Sequence, residues 1–165
     1  MSKLTLKTEG DTHLVVSRHF DASPQAVYRA HTDPNLIQQW MLGPEGWTMP
    51  VCINEAKPGG KIHYEWSNGK GQGFHLTGEF VELVPYNKIV HVERMHLPDP
   101  TPDNHVETTF APDGSGTLMT MRMTLPDKQT RAAMLATGME RGMEDSYVRL
   151  EKIMREKQGH YEMAS

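Results

Sequence analysis

The chain has 165 residues, of which 37% are hydrophobic and 23% charged, and its formal net charge is -4. This composition predicts one globular domain over residues 1–165, and the slightly acidic charge gives no electrostatic basis for binding nucleic acid or an anionic membrane. The sequence opens without the basic-then-apolar pattern of a secretory signal, and no stretch approaches the roughly 20 apolar residues of a membrane span. We therefore expect a cytoplasmic protein.

The N-terminal third predicts one strand followed by two short helices. Residues 12–20 are rich in β-forming side chains. Ser23 before Pro24, and Asp33 before Pro34, have the N-cap and first-turn residue types that begin helices. The two helices therefore interrupt the predicted sheet early in the chain.

The middle of the chain predicts an antiparallel meander. Short β-rich segments alternate with turn residues such as those at Pro58-Gly59-Gly60 and Asp113-Gly114. The six segments are residues 47–57, 61–67, 73–84, 88–96, 104–111 and 116–125. With the first strand they make a sheet of about seven strands.

The C-terminal segment, Asp127 to about Lys157, predicts one long amphipathic helix capped by Asp127. Its apolar residues recur at steps of three and four: Leu135, Met139, Met143, Tyr147, Leu150, Ile153 and Met154. Gly138 and Gly142 are unfavourable inside a helix, and three interpretations stay open: close packing, a bend, or room for a ligand.

These elements together predict an α+β helix-grip fold, in which the curved antiparallel sheet wraps around the long C-terminal helix. The sheet has to bury its apolar face, and this helix is the long amphipathic element available to cover it. Such an arrangement tends to leave a space between helix and sheet, where a small hydrophobic ligand would sit.

Methionines and aromatic residues are the candidate ligand-binding residues. Methionine adapts to irregular apolar shapes, and Trp and Tyr combine an apolar ring with one polar atom. Their alternative role is simple core filling. The candidates are Trp40, Trp66, Phe74, Met119, Met121, Met123, Met139, Met143 and Tyr147.

His91 and Glu93 are the candidate catalytic residues, because a histidine or a buried carboxylate can move protons near neutral pH. Strand alternation favours placing them on the solvent face, where they would have no such role. Glu79 and Glu107 are the runners-up. A metal bound by His91 and Glu93 with His63 or His75 is an alternative, but the nine histidines lack HxH or HExxH spacing, so we predict no metal and no cofactor.

Several motifs resemble the START-like (SRPBCC) superfamily, and within it the domains similar to the activator of Hsp90 ATPase. The resemblance covers about Val16 to Ile153. It departs from the family pattern at Glu55 and Lys57, where Asp and Arg are usual, and at Gln39-Trp40, where a Trp pair is usual. The motifs are Arg18-His19-Phe20-Asp21-Ala22-Ser23-Pro24, Thr32-Asp33-Pro34, Gly43-Pro44-Glu45-Gly46-Trp47-Thr48, Glu55-Ala56-Lys57-Pro58-Gly59-Gly60, Gly78-Glu79-Phe80, Val84-Pro85, Gly116-Thr117-Leu118 and Gly138-Met139-Glu140-Arg141-Gly142-Met143-Glu144.

The resemblance implies the helix-grip fold and an apolar cavity, but no shared set of catalytic residues. We favour a non-catalytic domain that binds a small apolar or aromatic ligand. The alternatives are a protein-interaction module with a chaperone as partner, and an enzyme of cyclase or hydratase type that uses His91, Glu93 or Tyr147. A monomer and a homodimer are both compatible with the sequence.

Overall fold

A computed structural model describes residues 3–164, with side chains up to residue 156, and this part of the chain forms eight strands and four helices. In chain order they are β1 (Thr5–Glu9), β2 (His13–Phe20), α1 (Pro24–Thr32), α2 (Pro34–Trp40), β3 (Thr48–Asn54), β4 (Lys61–Ser67), β5 (Gly73–Val84), β6 (Lys88–His96), β7 (Asn104–Asp113), β8 (Gly116–Thr124), α3 (Lys128–Leu135) and α4 (Met139–Ala164).

The strands form one curved antiparallel sheet in the order β1-β2-β8-β7-β6-β5-β4-β3. Strands β3 to β8 form a meander. Strand β2 pairs with β8, although the two strands lie far apart in the sequence. The predicted α+β helix-grip fold is confirmed. The strand that sequence analysis omitted is β1, a polar edge strand.

The sheet has an inner face toward α4 and an outer face toward solvent. Alternating residues of each strand are buried on the inner face, as in Ile62, Tyr64 and Trp66 of β4. At Gly78 of β5 the neighbouring backbone comes so close that an added Cβ would lie 2.3 Å from the carbonyl oxygen of Val92. Glycine is therefore required where β5 and β6 approach this tightly.

The predicted helix caps are confirmed. Ser23 accepts a hydrogen bond from the Ala26 amide at 3.2 Å, and Asp33 accepts one from the Asn35 amide at 2.9 Å. Asp127 accepts one from the Thr130 amide at 2.7 Å. These side chains satisfy backbone N–H groups that have no partner within the first helical turn.

The prediction of one continuous C-terminal helix is wrong, because the segment is two helices. Gly138 has a φ of +79° between α3 and α4, a left-handed conformation that interrupts a right-handed helix. Gly142 lies inside α4, where an added Cβ would be 3.9 Å from Cδ of Pro44. Of the interpretations left open for the two glycines, a bend fits Gly138, whereas the 3.9 Å contact at Gly142 is ordinary and does not require glycine there.

Candidate functional site

Helix α4 is anchored to the rest of the protein by polar contacts along its length. The Ser146 hydroxyl accepts a hydrogen bond from the Gly43 amide at 2.8 Å, and Arg149 donates to the carbonyl oxygens of Trp40 and Gly43. On the opposite side, buried Arg18 of β2 contacts Glu144 at 3.0 Å and Glu151 at 3.2 Å. The helix is thus held in place over the inner face of the sheet.

The candidate ligand-binding residues lie in the interior between α4 and the sheet. Trp40, Trp66, Met119 and Tyr147 belong to one buried cluster, and their exposed fractions are all 8% or less. In a second cluster the methionines of β8 pack against those of α4, as predicted. The residues are Met121 and Met123 of β8, and Met139 and Met143 of α4. Their role in ligand binding stays a prediction.

His91 and Glu93 lie on the inner face, so the expectation that they face solvent is wrong. His91 pairs in register with Phe80 of β5 and Val106 of β7, both buried. The two side chains keep exposed fractions of 16% and 24%. The inner face of β6 is therefore less completely covered than the inner faces of its neighbours.

The two residues contact each other through a short hydrogen bond. Nε2 of His91 lies 2.6 Å from Oε1 of Glu93. A carboxylate accepts hydrogen bonds, so we assign the proton to Nε2; in this neutral tautomer Nδ1 is the acceptor nitrogen. That Nδ1 atom is buried and has no hydrogen-bond partner.

Three further unpartnered polar atoms lie around the same interior. Among the described side chains, the buried polar atoms without a hydrogen bond are His31 Nε2, Asn54 Oδ1, His91 Nδ1 and Asn104 Oδ1. Asn104 of β7 pairs in register with Glu93 of β6. The amide nitrogen of Asn54 donates a hydrogen bond to the Tyr64 hydroxyl at 2.7 Å. Buried polar atoms without a hydrogen bond thus come from α1, β3, β6 and β7.

Burial shifts the pKa values of the titratable groups in this interior. It lowers the pKa of His31 to about 4, with a smaller contribution from nearby His91. Burial also raises the pKa values of Tyr64 and Tyr147, and the negative charge of Glu93 raises them further. His31 is therefore neutral at pH 7, and both tyrosines keep their protons.

The other acid–base and metal candidates lie on the outer face. Glu79 is exposed and paired with Arg94, and Glu107 is also exposed. His63 and His75 stack on each other on the side of the sheet opposite His91. The metal site considered with His91 is therefore not formed, and no group of three or more His, Cys, Asp or Glu in the described part of the chain is placed to hold a metal ion.

A cleft of about 280 Å³ lies where β4, β5 and β6 end. Trp66 and Phe74, two of the predicted ligand-binding residues, line it together with the histidines His75 and His96. The rings of His75 and His96 stack at 4.2 Å. This cleft is separate from the interior around His91.

Comparison with known families identifies the relationship. The model of the family described as "Activator of Hsp90 ATPase homolog 1-like protein" matches residues 21–155. The chain belongs to this family. A comparison with curated proteins gives no match.

Solved structures of other proteins share the fold. A protein from Rhodobacter sphaeroides is 27% identical, with a TM-score of 0.85 over 93% of this chain and 98% of that chain. A Mycobacterium smegmatis protein is 19% identical, with a TM-score of 0.81 over 91% and 96% of the two chains. At that identity the second likeness shows the fold alone. In the described residues no helix has both the length and the apolarity needed to cross a membrane.

Sequence analysis missed His31, Asn54 and Asn104. Two of them had a signal in the sequence. His31 follows Val27 by four residues, which places it on the apolar side of α1. Asn104 begins the alternating buried series of β7, which continues with Val106, Thr108 and Phe110. A polar residue within an apolar period indicates a buried polar position. Asn54 ends its strand and had no such signal.

Proposed function

We propose that this member of the Hsp90 ATPase activator homologue family binds a small molecule with an apolar or aromatic body between α4 and the inner face of the sheet. The observation that carries the proposal is the set of four buried, unpartnered polar atoms on elements that surround the interior between α4 and the sheet. A buried polar group without a partner costs about 1–3 kcal/mol. A ligand that supplies the missing partners removes that cost.

The unpartnered atoms define the polar groups of such a ligand. Nδ1 of His31 donates to the Val27 carbonyl oxygen at 2.7 Å, so Nε2 of the neutral ring is an acceptor. The amide nitrogen of Asn54 faces the Tyr64 hydroxyl and the His31 carbonyl oxygen, which leaves Oδ1 as an acceptor. The ligand is therefore expected to carry O–H or N–H donors.

The apolar part of the site suits an aromatic ring. Trp40 and Tyr147 are stacked at 5.8 Å with an interplanar angle of 27°, so aromatic rings already pack against each other in this part of the protein. The methionines of β8 and α4 adjust their flexible side chains to the outline of a bound molecule. Aromatic stacking and methionine contacts thus supply affinity, and the acceptors supply orientation.

A ligand screen by thermal shift tests the proposal. Aromatic compounds with hydroxyl or amino groups should raise the melting temperature in a saturable way, following RT ln(1 + [L]/Kd), and the matched methyl ethers should do so less. Family membership also leaves a chaperone as a possible partner. A module that acts only through a protein surface should not respond to these compounds.

Met143→Trp locates the ligand. The larger ring should fill space between α4 and β8 and weaken binding about tenfold or more, which is about 1.4 kcal/mol. Val148→Trp is the matched control, because Val148 is 40% exposed on the outer side of α4. An unchanged affinity in Met143→Trp would contradict the interior site. The cleft at Trp66 and Phe74 would then be the next site to test.

A further inference from the structure

We infer that His91 and Glu93 form a general-base dyad that removes a proton from a carbon next to a carbonyl group in a molecule bound between α4 and the sheet. The inference rests on the proposed function, because it needs a ligand in that interior. It adds a chemical reaction, an isomerisation by proton transfer, to what would otherwise be binding alone. His91 is the catalytic residue, and Glu93 is the positioning residue.

The hydrogen bond from His91 to Glu93 gives the imidazole the orientation of a base. With Nε2–H donated to the carboxylate at 2.6 Å, the lone pair of Nδ1 is directed away from Glu93. This atom is buried and unpartnered. As a proton is taken up at Nδ1, the negative carboxylate stabilises the imidazolium that forms.

A second His–Glu pair in the same sheet shows what a structural pair looks like. His63 and Glu65 of β4 have the same spacing, and Nε2 of His63 lies 2.8 Å from Glu65. They lie on the outer face, where Glu65 is 47% exposed. Unlike His91, His63 has no buried unpartnered nitrogen. The pair on β4 is thus a matched control within the same sheet.

The groups around the dyad favour proton transfer to Nδ1. His31 does not compete for the proton at neutral pH, because burial holds its pKa near 4. The Tyr147 hydroxyl makes no hydrogen bond to the part of the chain that the structure describes, and its raised pKa keeps it a donor. The titratable groups whose charges act on His31, Tyr64 and Tyr147 are Arg18 of β2, Cys52 of β3, His91 and Glu93 of β6, and Glu144 of α4.

The proposed step needs no further reactant. Nδ1 of His91 takes the proton, and the electron pair of the broken C–H bond forms the C=C bond of an enolate while the carbonyl electrons move to oxygen. Tyr147 donates a hydrogen bond to that oxygen. The substrate carries a C=C bond between its β and γ carbons, so the enolate is conjugated with that bond. The protonated imidazole returns the proton to the γ carbon, which restores the carbonyl group and moves the C=C bond to the α and β carbons.

The dyad can be tested before any natural substrate is identified, using nitrobenzisoxazole. A base removes the single C–H proton of its five-membered ring, the N–O bond breaks, and the product is a coloured cyanophenolate. The wild-type protein should show saturable turnover at least about a hundredfold faster than free imidazole at equal concentration.

Variants separate the dyad from the rest of the protein. His91→Gln and Glu93→Gln should each lower the rate, and Glu93→Asp should recover part of it because the carboxylate is restored. Glu93→Gln should also shift the pH profile, which a purely structural role would not do. His63→Gln and Glu65→Gln, on the outer face, should leave the rate unchanged.

Binding of the same probe, followed by tryptophan fluorescence, distinguishes the two proposals. If the probe binds but wild-type turnover does not exceed that of imidazole, the dyad is wrong and the proposed function stands. Full activity in folded His91→Gln would overturn the dyad as well. If neither the probe nor the aromatic panel binds, the proposed function fails, and the dyad fails with it.

Discussion

His31 and His19 show how the fold sets the charge of individual side chains. His31 lies between the rings of Trp40 and Phe110, at 5.0 and 5.2 Å, and burial lowers its pKa to about 4. The ring nitrogens of His19 are within hydrogen-bond distance of the Asp113 and Asp21 carboxylates near the surface, and these carboxylates raise the pKa of His19. The same residue type therefore responds to pH with opposite sign at the two positions.

The stability of the protein should depend on His31 between about pH 4 and 6.5. In this window the unfolded chain binds a proton that the folded protein does not, so the free energy of unfolding falls as the pH falls, by up to about 3 kcal/mol. Urea unfolding at several pH values should show a shallower loss for His31→Gln than for wild type.

His19→Gln is the control for that measurement. Because its folded pKa is raised, His19 contributes stability that is present at low pH and is lost as the pH rises through the raised value. Removing it should therefore steepen the decline toward low pH. An identical pH dependence in wild type and His31→Gln would show that His31 is not buried as a neutral ring.

The face on which His91 and Glu93 lie was not readable from the sequence. In β6 one alternating set is Ile89, His91, Glu93 and Met95, and the other contains Val90 and Val92 with Arg94 and His96. Each set has two apolar and two polar residues, so alternation does not decide between them. Pairing in register with Phe80 and Val106 decides it.

At the scale of elements, the break between α3 and α4 divides the C-terminal segment into two helices. The apolar period runs through both helices and predicted one helix, because periodicity does not report backbone dihedral angles. The two glycines look equivalent in the sequence. Gly138 ends one helix in a left-handed conformation, whereas Gly142 is an ordinary helical residue beside Pro44.

Alanine substitutions at the two glycines should have opposite effects on stability. Gly138→Ala should lower the free energy of unfolding by about 1–2 kcal/mol, because its φ of +79° disfavours a Cβ although nothing lies within 4 Å. Gly142→Ala should raise it by up to about 1 kcal/mol, since its Cβ meets Pro44 at an ordinary 3.9 Å. Urea unfolding of the two variants measures both, and equal signs would contradict the break.

At the scale of the whole molecule, Arg18 connects an early strand to the last helix. Its side chain is fully buried, and it contacts Glu144 and Glu151, 126 and 133 residues away in the chain. The same glutamates accept hydrogen bonds from the Leu4 and Asp21 amides. The N-terminal segment and α4 are therefore stabilised by one shared set of charges.

Replacing Arg18 should be among the most damaging single changes. Arg18→Met leaves the buried carboxylate of Glu151 without its cation and should lower the free energy of unfolding by about 3–5 kcal/mol. Arg94→Met is the control, because its partners Glu79 and Asp103 are more than half exposed, and should cost less than about 1 kcal/mol. Denaturant unfolding with similar losses in the two variants would contradict this role for Arg18.

The sequence predicted most of the fold because turn residues, helix caps and apolar periods are local signals. It placed seven strands, both N-terminal helices and the methionine surfaces of β8 and α4. It did not predict the polar interior, because that site forms from residues on α1, β3, β6 and β7 that are distant in the chain. Hydrogen-bond satisfaction is visible only once those elements are packed together.

The pairing of β2 with β8 sets the order in which the strands can join the sheet during translation. Each strand from β3 to β8 hydrogen-bonds to the next one made, so this part of the sheet can grow as it emerges. The β1–β2 hairpin has to wait until residues 117–124 have been synthesised. Until then the apolar side chains Leu14, Val16 and Phe20 lack their final cover, and exposed apolar surface of this kind makes a nascent chain prone to aggregation.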